Sequence, residues 1–308
     1  MPSNIKKLNT AVLIITYKRL DTTKQVFEAI KKVKPTRLYI SSNGAKNPEE
    51  YKKVNAVRSY LDDNIDWDCK VYKLNRSEHL SAKLSISKAI DWFFKNEDMG
   101  IILEDDCVPS SLFFSFCEKM LVHYQNDKRI FQISGSNLLS AIESPYDVVL
   151  AETGTIWGWA TWADRWNEYD VNMANFSKLI KEKPFTEALR NLPGWRFRWK
   201  AFKQTFNNQI DTWDYQWIWA RFVNRGLVVI PRYNLVENIG EGADATNTVG
   251  QEGYRVRTFE NKEFSHLPTH FHPDKNFERM IFKLKIKNAF RKRLKLFFNT
   301  LTFRRSLK

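Results

Sequence analysis

The first 135 residues alternate short apolar runs with amphipathic segments, and this alternation constrains the fold more than any other feature. Ala11-Val-Leu-Ile-Ile15 reads as a short buried strand. Residues 21–32 have helical periodicity, with Val26, Phe27 and Ile30 apolar, and Arg37-Leu-Tyr-Ile40 is a second strand that ends in the turn-rich run Ser41 to Lys46. A helix over 49–61, a strand over 69–74, an amphipathic helix over 85–95, a strand over 99–103, a helix over 110–124 and a strand over 129–134 follow. Strands separated by helices predict an α/β fold with a mostly parallel central sheet flanked by helices on both faces. In such sheets, ligands bind beyond the carboxyl ends of the strands.

The second half changes character. Trp, Arg, Asn and Gly dominate, and strand signals thin out until Gly226-Leu-Val-Val-Ile230. Nine of the 11 Trp lie between Trp157 and Trp219. There is no internal repeat and no long Ser/Gly linker. The expected organisation is one domain over 1–280, in two halves of about 1–135 and 136–280 that share a cleft, followed by a basic amphipathic tail over 281–308.

Charge narrows the function classes. The 49 Lys and Arg exceed the 35 Asp and Glu by 14, but ten of the basic residues lie between Lys283 and Lys308, where there is no acid. The body is then about +4, so a nucleic-acid reading rests on the tail alone and no nucleic-acid partner is expected. The three cysteines form no CxxC, which fits a reducing compartment. No apolar run approaches the ~20 residues that span a bilayer, and none resembles a secretory signal. The expected location is the cytoplasm.

Four motifs carry candidate chemistry. Leu103-Glu104-Asp105-Asp106 ends an apolar strand in three acids. Neighbouring residues of a strand face opposite ways, so three consecutive acids cannot share one core. Crowded carboxylates raise one another's pKa unless a cation compensates. Mg²⁺ or Mn²⁺ takes carboxylate oxygens, often with substrate phosphates completing the shell. A plain solvated turn explains the same spacing. In Asp211-Thr-Trp-Asp214-Tyr-Gln-Trp217, an acid among aromatics is expected to be partly desolvated, with its pKa raised toward that of a general base. Asp211 or Thr212 also suits the N-cap of a helix running through Trp217. Trp157-Gly-Trp-Ala-Thr-Trp162 suggests a sugar-stacking wall in which Gly158 permits close approach, against the alternative of core packing. The run Asn234 to Thr248, with Gly240 and Gly242, reads as a loop that closes over a donor or as an ordinary surface loop. His266, His270 and His272 fit no common zinc spacing and read as structural.

Ala11 to Lys18, the Glu104-Asp105-Asp106 triplet, and Trp213-Asp214 followed by a Gly-Leu-Val-Val-Ile-Pro strand resemble bacterial glycosyltransferases of the GT-A fold. The likeness is to the hemolytic-protein-like sugar transferases grouped near family 2. It extends more loosely to the N-acetylglucosaminyltransferase I type, whose metal motif is a Glu-Asp-Asp triplet. It covers roughly residues 9–250. The resemblance implies a metal-dependent, inverting transfer from a nucleoside-diphosphate sugar, a UDP-sugar favoured, in surface polysaccharide synthesis. Residues 1–135 would then be the nucleotide-sugar half and 136–280 the acceptor half. Thr16, Tyr17 and Arg19 would meet the nucleoside, Asn43 the base, Glu104 and Asp105 the ribose or diphosphate side, and Asp106 the metal. Asp214 would deprotonate the acceptor, and Trp157, Trp159, Trp162 and Trp213 would form the acceptor or sugar wall. The chain departs from its relatives at Asn247, where they carry a histidine in Ala-Thr-His-Thr, and in a triplet that is not Asp-X-Asp.

The rival readings are a sugar-phosphate nucleotidyltransferase, disfavoured because no Gly-rich phosphate loop follows the first strand, and a non-catalytic, membrane-associated glycan-binding protein. In the tail, Ile286, Phe290, Leu294 and Phe297 line one helical stripe among Lys and Arg, which suits an anionic membrane surface. That stripe would place the protein peripherally at the inner face of the cytoplasmic membrane, beside a lipid-linked glycan acceptor. Packing of the tail on the domain is the alternative.

Overall fold

The structure, a computed structural model, describes residues 7–240 and 264–288. In chain order it contains β1 (Ala11–Thr16), α1 (Leu20–Val33), β2 (Arg37–Ser42), α2 (Pro48–Asn64), β3 (Lys70–Asn75), α3 (Ala82–Phe94), β4 (Met99–Glu104), β5 (Cys107–Pro109), α4 (Ser111–Tyr124), β6 (Ile130–Ser134) and β7 (Val148–Ala151). Then come β8 (Trp159–Trp162), α5 (Ala163–Trp166), α6 (Phe176–Leu179), α7 (Lys183–Arg190), α8 (Trp195–Phe206), α9 (Asp214–Val223), β9 (Leu227–Pro231) and β10 (Val236–Asn238). Residues 275–288 form a further helix, α10.

Eight strands make one sheet in the order β3-β2-β1-β4-β8-β6-β9-β7. β1 pairs in parallel with β2 and β4, β2 with β3, and β6 with β9, whereas β8 is antiparallel to both its neighbours and β7 to β9. The sheet is therefore mostly parallel with two reversed strands, as the alternating pattern predicted. The period of two along β1 divides the core. Val12 and Ile14 face the side covered by Val26, Phe27, Val57, Phe113 and Phe116. Ala11, Leu13 and Ile15 face the side covered by Ala89, Ile90, Phe93, Trp159 and Trp213.

The tryptophan-rich region corrects an expectation. Trp159, Trp162 and Trp213 are buried, Trp159 completely. Trp159 and Trp162 are the ends of the central reversed strand β8. Trp159 stacks on Trp213 with ring centroids 5.7 Å apart, and Trp162 Nε1 donates to the Leu121 carbonyl at 3.2 Å. These three rings present no face to a sugar: Trp159 and Trp213 are core between β8 and α9, and Trp162 is core on the other face of the sheet, against α4. Of the expected wall, Trp157 alone is half-buried. Gly158 does allow close approach, but of the chain to itself: it has φ +59°, and a Cβ there would crowd Val236 and Leu103.

Two further expectations change. Asp211 caps a helix, though not the one that follows it: its carboxylate accepts from the backbone N–H groups of Ala82 and Lys83, at 2.9 and 3.1 Å, and so closes the start of α3. The expected boundary at 280/281 falls inside α10. Phe277 and Ile281, on either side of it, are buried against Val149, Val228 and Ile230 of the sheet edge. The apolar residues here belong to the domain core, so the start of the tail is packed. Phe290, Leu294 and Phe297 lie outside the described residues.

Candidate active site

The site is assembled by strand register. Ile15 of β1 lies opposite Glu104 of β4, and Thr16 opposite Ser42 of β2, so the chain leaves all three strands at one edge. Tyr17, Lys18 and Arg19 follow β1, Asn43 follows β2, and Asp105 and Asp106 follow β4. Sequence reasoning expected this gathering at the carboxyl ends, and the structure brings these residues together.

Arg19 is its electrostatic centre. Its guanidinium donates to Asp106 Oδ2 at 2.8 Å and also to Asp105 Oδ1. Burial opposes the arginine's charge, but the two carboxylates outweigh it and hold it charged. The backbone N–H of Tyr17 lies 3.4 Å from Asp105 Oδ2. Among the described residues Glu104 has no such partner. Burial, then the charges of Asp106, Asp105 and Asp214, push its carboxyl well above the ordinary range, with Arg19 opposing. Burial raises Asp105 to about 6 despite Arg19.

The remaining residues of the predicted nucleotide segment hold the chain rather than wait for a ligand. Thr16 is buried and its hydroxyl lies 3.3 Å from the Ser41 carbonyl. Asn43 Oδ1 accepts from the N–H groups of Gly44 and Leu80, while its Nδ2 donates to the Leu80 carbonyl and faces His79 Nδ1 at 3.2 Å. A side-chain amide has two donors and two acceptor positions. That of Asn43 is committed to the turn. The Tyr17 hydroxyl donates to Glu50 Oε2, and Lys18 donates to Glu50 Oε1 at 2.7 Å. These two bonds, Lys18 first, hold Glu50 down at about 2. Nothing in the sequence marks Glu50, which lies on the neighbouring helix.

The strand pair β5–β10 turns the chain back onto the triplet. The N–H of Ile239 donates to the Asp106 carbonyl at 2.8 Å, and Gly240 lies against the Asp106 carboxylate, where a Cβ would collide with Oδ2. The sequence marked Gly240 as a loop glycine but gave no sign of its neighbour. Gly242, Asn247 and Thr248 lie outside the described residues.

Asp214 begins α9. Trp213, locked against Trp159, fixes where that helix starts. Asp214 Oδ1 accepts from the Thr212 hydroxyl and from the Tyr215 N–H, the latter at 2.9 Å. Burial nevertheless raises its pKa. Its charge acts on Glu104 of the triplet.

Three carboxylates against one guanidinium leave surplus negative charge and only hard oxygen donors, which suits Mg²⁺ or Mn²⁺. Among the described residues, no three His, Cys, Asp or Glu side chains converge as a ready-made metal site. Asp105 and Asp106 are turned toward Arg19, so a cation would share or replace that arginine. His270 stacks on His272 and meets Tyr146 edge-on. A cleft at the opposite ends of the strands, lined by Asn9, Thr10, Arg37, Glu97 and Glu118, is satisfied internally. Glu118 accepts from the N–H groups of Asn9 and Thr10 at 3.0 Å, and Arg37 pairs with Glu97 at 2.8 Å.

No protein-family model matches the chain, and no curated protein matches it. Among solved structures, it is similar to a UDP-glucose pyrophosphorylase complexed with UDP-glucose, with a TM-score of 0.36 and 11% identity over 74% of this chain and 91% of that one. It is similar to 4-diphosphocytidyl-2C-methyl-D-erythritolsynthase from Anaerococcus prevotii, with a TM-score of 0.33 and 11% identity over 57% and 78%. HddC from Yersinia pseudotuberculosis gives a TM-score of 0.31 and 14% identity over 50% and 77%. Likenesses this shallow assign neither a family nor an activity.

Proposed function

We propose that the chain is a glycosyltransferase of the GT-A type. It moves a sugar from a nucleoside diphosphate to a hydroxyl of a glycan or lipid-linked glycan, with inversion at the anomeric carbon. The supporting observation is the gathering of Arg19, Glu104, Asp105 and Asp106 at the carboxyl ends of β1 and β4, with Asp214, at the start of α9, near enough for its charge to act on Glu104.

In this reading Asp106 would hold a divalent cation, with Glu104 and Asp105 on the ribose or diphosphate side, and the cation would supply positive charge to the leaving diphosphate. Asp214, kept in place by Thr212 and the Tyr215 N–H on Oδ1, takes the acceptor's hydroxyl proton on Oδ2. The acceptor oxygen forms its bond to the anomeric carbon as the carbon–oxygen bond to phosphate breaks, and the nucleoside diphosphate leaves with the electron pair. The raised pKa of Asp214 makes it a better proton acceptor than an ordinary aspartate. The basic tail would bring this site to lipid-linked acceptors at the inner face of the membrane.

Transfer of a nucleotidyl group to a sugar phosphate is the rival reading. One assay separates the two. The protein is supplied with nucleoside-diphosphate sugars and glycan acceptors, or with nucleoside triphosphates and sugar 1-phosphates, each with Mn²⁺ or with chelator, and the products are identified. We expect a nucleoside diphosphate and an inverted glycoside, with Asp106→Asn inactive. Pyrophosphate release without glycoside, full activity in chelator, or a retained anomeric configuration would overturn the proposal.

A further inference from the structure

Six large hydrophobic side chains are exposed among the described residues, and three of them lie on two neighbouring helices of the second half. They are Phe197 on α8, 64% exposed, and Met280 and Ile286 on α10, 44% and 53% exposed. The helices meet where Phe282 of α10 lies against Gly194, the N-cap of α8, so closely that a Cβ on Gly194 would collide with the ring. Phe197 is one turn along α8 from Gly194, and Ile286 one turn along α10 from Phe282. Both exposed side chains therefore flank the same contact.

Each stands in a row of cations. On α8, Arg196, Lys200 and Lys203 are exposed at i, i+4, i+7, on the side away from the buried Ala201, Phe202 and Thr205. On α10, Arg279, Lys283 and Ile286 repeat that spacing, away from the buried Phe277 and Ile281. α8 contains no acid, and the acid of α10, Glu278, is buried and accepts from the Thr153 N–H at 2.8 Å. The chain after Asn288 adds seven more Lys and Arg and again no acid. A lone exposed hydrophobic residue is ordinary. Apolar tips set among cations, with no exposed acid on either helix, match the headgroup boundary of a negatively charged bilayer, where the tips enter the apolar edge and the cations meet lipid phosphates. We propose that the α8–α10 surface is a docking face for an anionic lipid leaflet, continuous with the basic segment that follows α10.

Face and segment act as two linked contacts. Each alone is weak, but once one is seated the other binds intramolecularly at high effective concentration. Without the segment, the face does not hold the protein on a vesicle; with it, the face fixes how the folded domain sits. α8 packs on α9 through Phe202 and Trp219, with ring centroids 5.2 Å apart, and α9 begins with Asp214. Resting on the transferase reading, the protein meets the leaflet through the half that carries its base, the half that would take a lipid-linked acceptor.

Flotation of the full chain with phosphatidylserine–phosphatidylcholine vesicles tests the face. One double variant removes the apolar tips, Phe197→Ser with Ile286→Ser, and another reverses charge, Arg196→Glu with Lys283→Glu. All four side chains are exposed, so both variants should melt as the parent does. We expect partitioning to fall at least ~5-fold in each, about the effect of one basic residue at an anionic leaflet. Tyr51→Ser, which removes a 59% exposed side chain from α2, should float like the parent. Parent-like flotation of both double variants would leave the contact to the segment after Asn288 and overturn the proposal. So would an equal loss in Tyr51→Ser. A parent that sediments as a dimer, with monomeric double variants, would make the face a contact between copies. Tighter binding to duplex DNA than to vesicles, weakened by the same variants, would give the face to nucleic acid; either result overturns the leaflet. Flotation needs neither donor nor acceptor, so a face that binds vesicles in a protein without transfer activity would sink the transferase reading alone.

Discussion

Arg19 holds Asp106 Oδ2 at 2.8 Å and the Asp105 carboxylate with the same terminal nitrogen, across 87 residues of chain. It is the cation that lets two buried acids sit side by side. Removing one partner of a buried pair typically costs ~3–5 kcal/mol. The Arg19 side chain is 24% exposed, so the cost here should be nearer ~1–3 kcal/mol. Arg19→Gln should therefore lower the melting temperature in chelator and gain more from added Mn²⁺ than the parent protein does. Equal melting in chelator would show that the arginine does not balance the acids.

Asp214→Asn should separate activity from stability. Loss of a general base is expected to slow turnover by ~10²–10⁴ with donor affinity kept. The folded pKa of Asp214 is raised, so ionising it costs folding stability. That cost is fully present above the folded pKa and vanishes below the unfolded value of about 4. Asparagine keeps an Oδ1 for Thr212 and the Tyr215 N–H but carries no charge. The variant should then melt higher than the parent at pH 8, by a margin that shrinks toward pH 4. In the parent protein, kcat should fall as pH drops through the raised pKa. A margin that grows on acidification would reverse the sign of the shift.

Gly240→Ala puts a methyl group where the Asp106 carboxylate stands. Displacing a ligand by changing its immediate support typically costs ~10–100-fold in metal affinity. Mn²⁺ titration of the variant should register such a loss, with the melting temperature in chelator little changed. Unaltered Mn²⁺ affinity would remove Asp106 from the metal site.

Trp159→Ala distinguishes core from ligand wall. Truncating a fully buried tryptophan typically costs ~3–5 kcal/mol. The variant should unfold at lower denaturant, and where it remains folded its KM for acceptor should be near the parent's. A normal midpoint with a raised KM would restore the stacking role.

How legible these features were in the sequence depends on how local they are. β1, α1, β2 and β4 were visible because each carries its own apolar period, and strand order then forces Thr16, Asn43 and Asp105 to one edge. Trp159-Ala-Thr-Trp162 was misread because four residues are too few to reveal a period of two, and because its burial comes from α9 on one face and α4 on the other, both distant along the chain. The cap that Asp211 places on α3 spans 129 residues, and local spacing can only propose the adjacent helix. Gly240 carries a local signal, a loop glycine, but what it faces is set entirely by tertiary contacts.

The membrane prediction is now sharper. α10 is docked through Phe277 and Ile281, and Phe282 lies against Gly194, so residues up to 288 belong to the folded domain. A chain ending at Asn276 would remove that packing and destabilise the protein whatever the tail does. Ending the chain at Asn288 is the clean test, since it keeps α10 whole. The removed segment carries Arg291, Lys292, Arg293, Lys295, Arg304, Arg305 and Lys308 among Phe290, Leu294, Leu296, Phe297 and Phe298, with no acid. Each basic residue near an anionic leaflet contributes about 1 kcal/mol, screened by salt, and the aromatic and aliphatic side chains add apolar burial in the interface. The full chain should float with vesicles containing anionic phosphatidylserine, progressively less as salt rises or as phosphatidylserine is replaced by phosphatidylcholine. The chain ending at Asn288 should keep its melting temperature and remain in the unbound fraction. Equal flotation of both proteins, or flotation indifferent to lipid charge, would locate the membrane contact elsewhere or remove it.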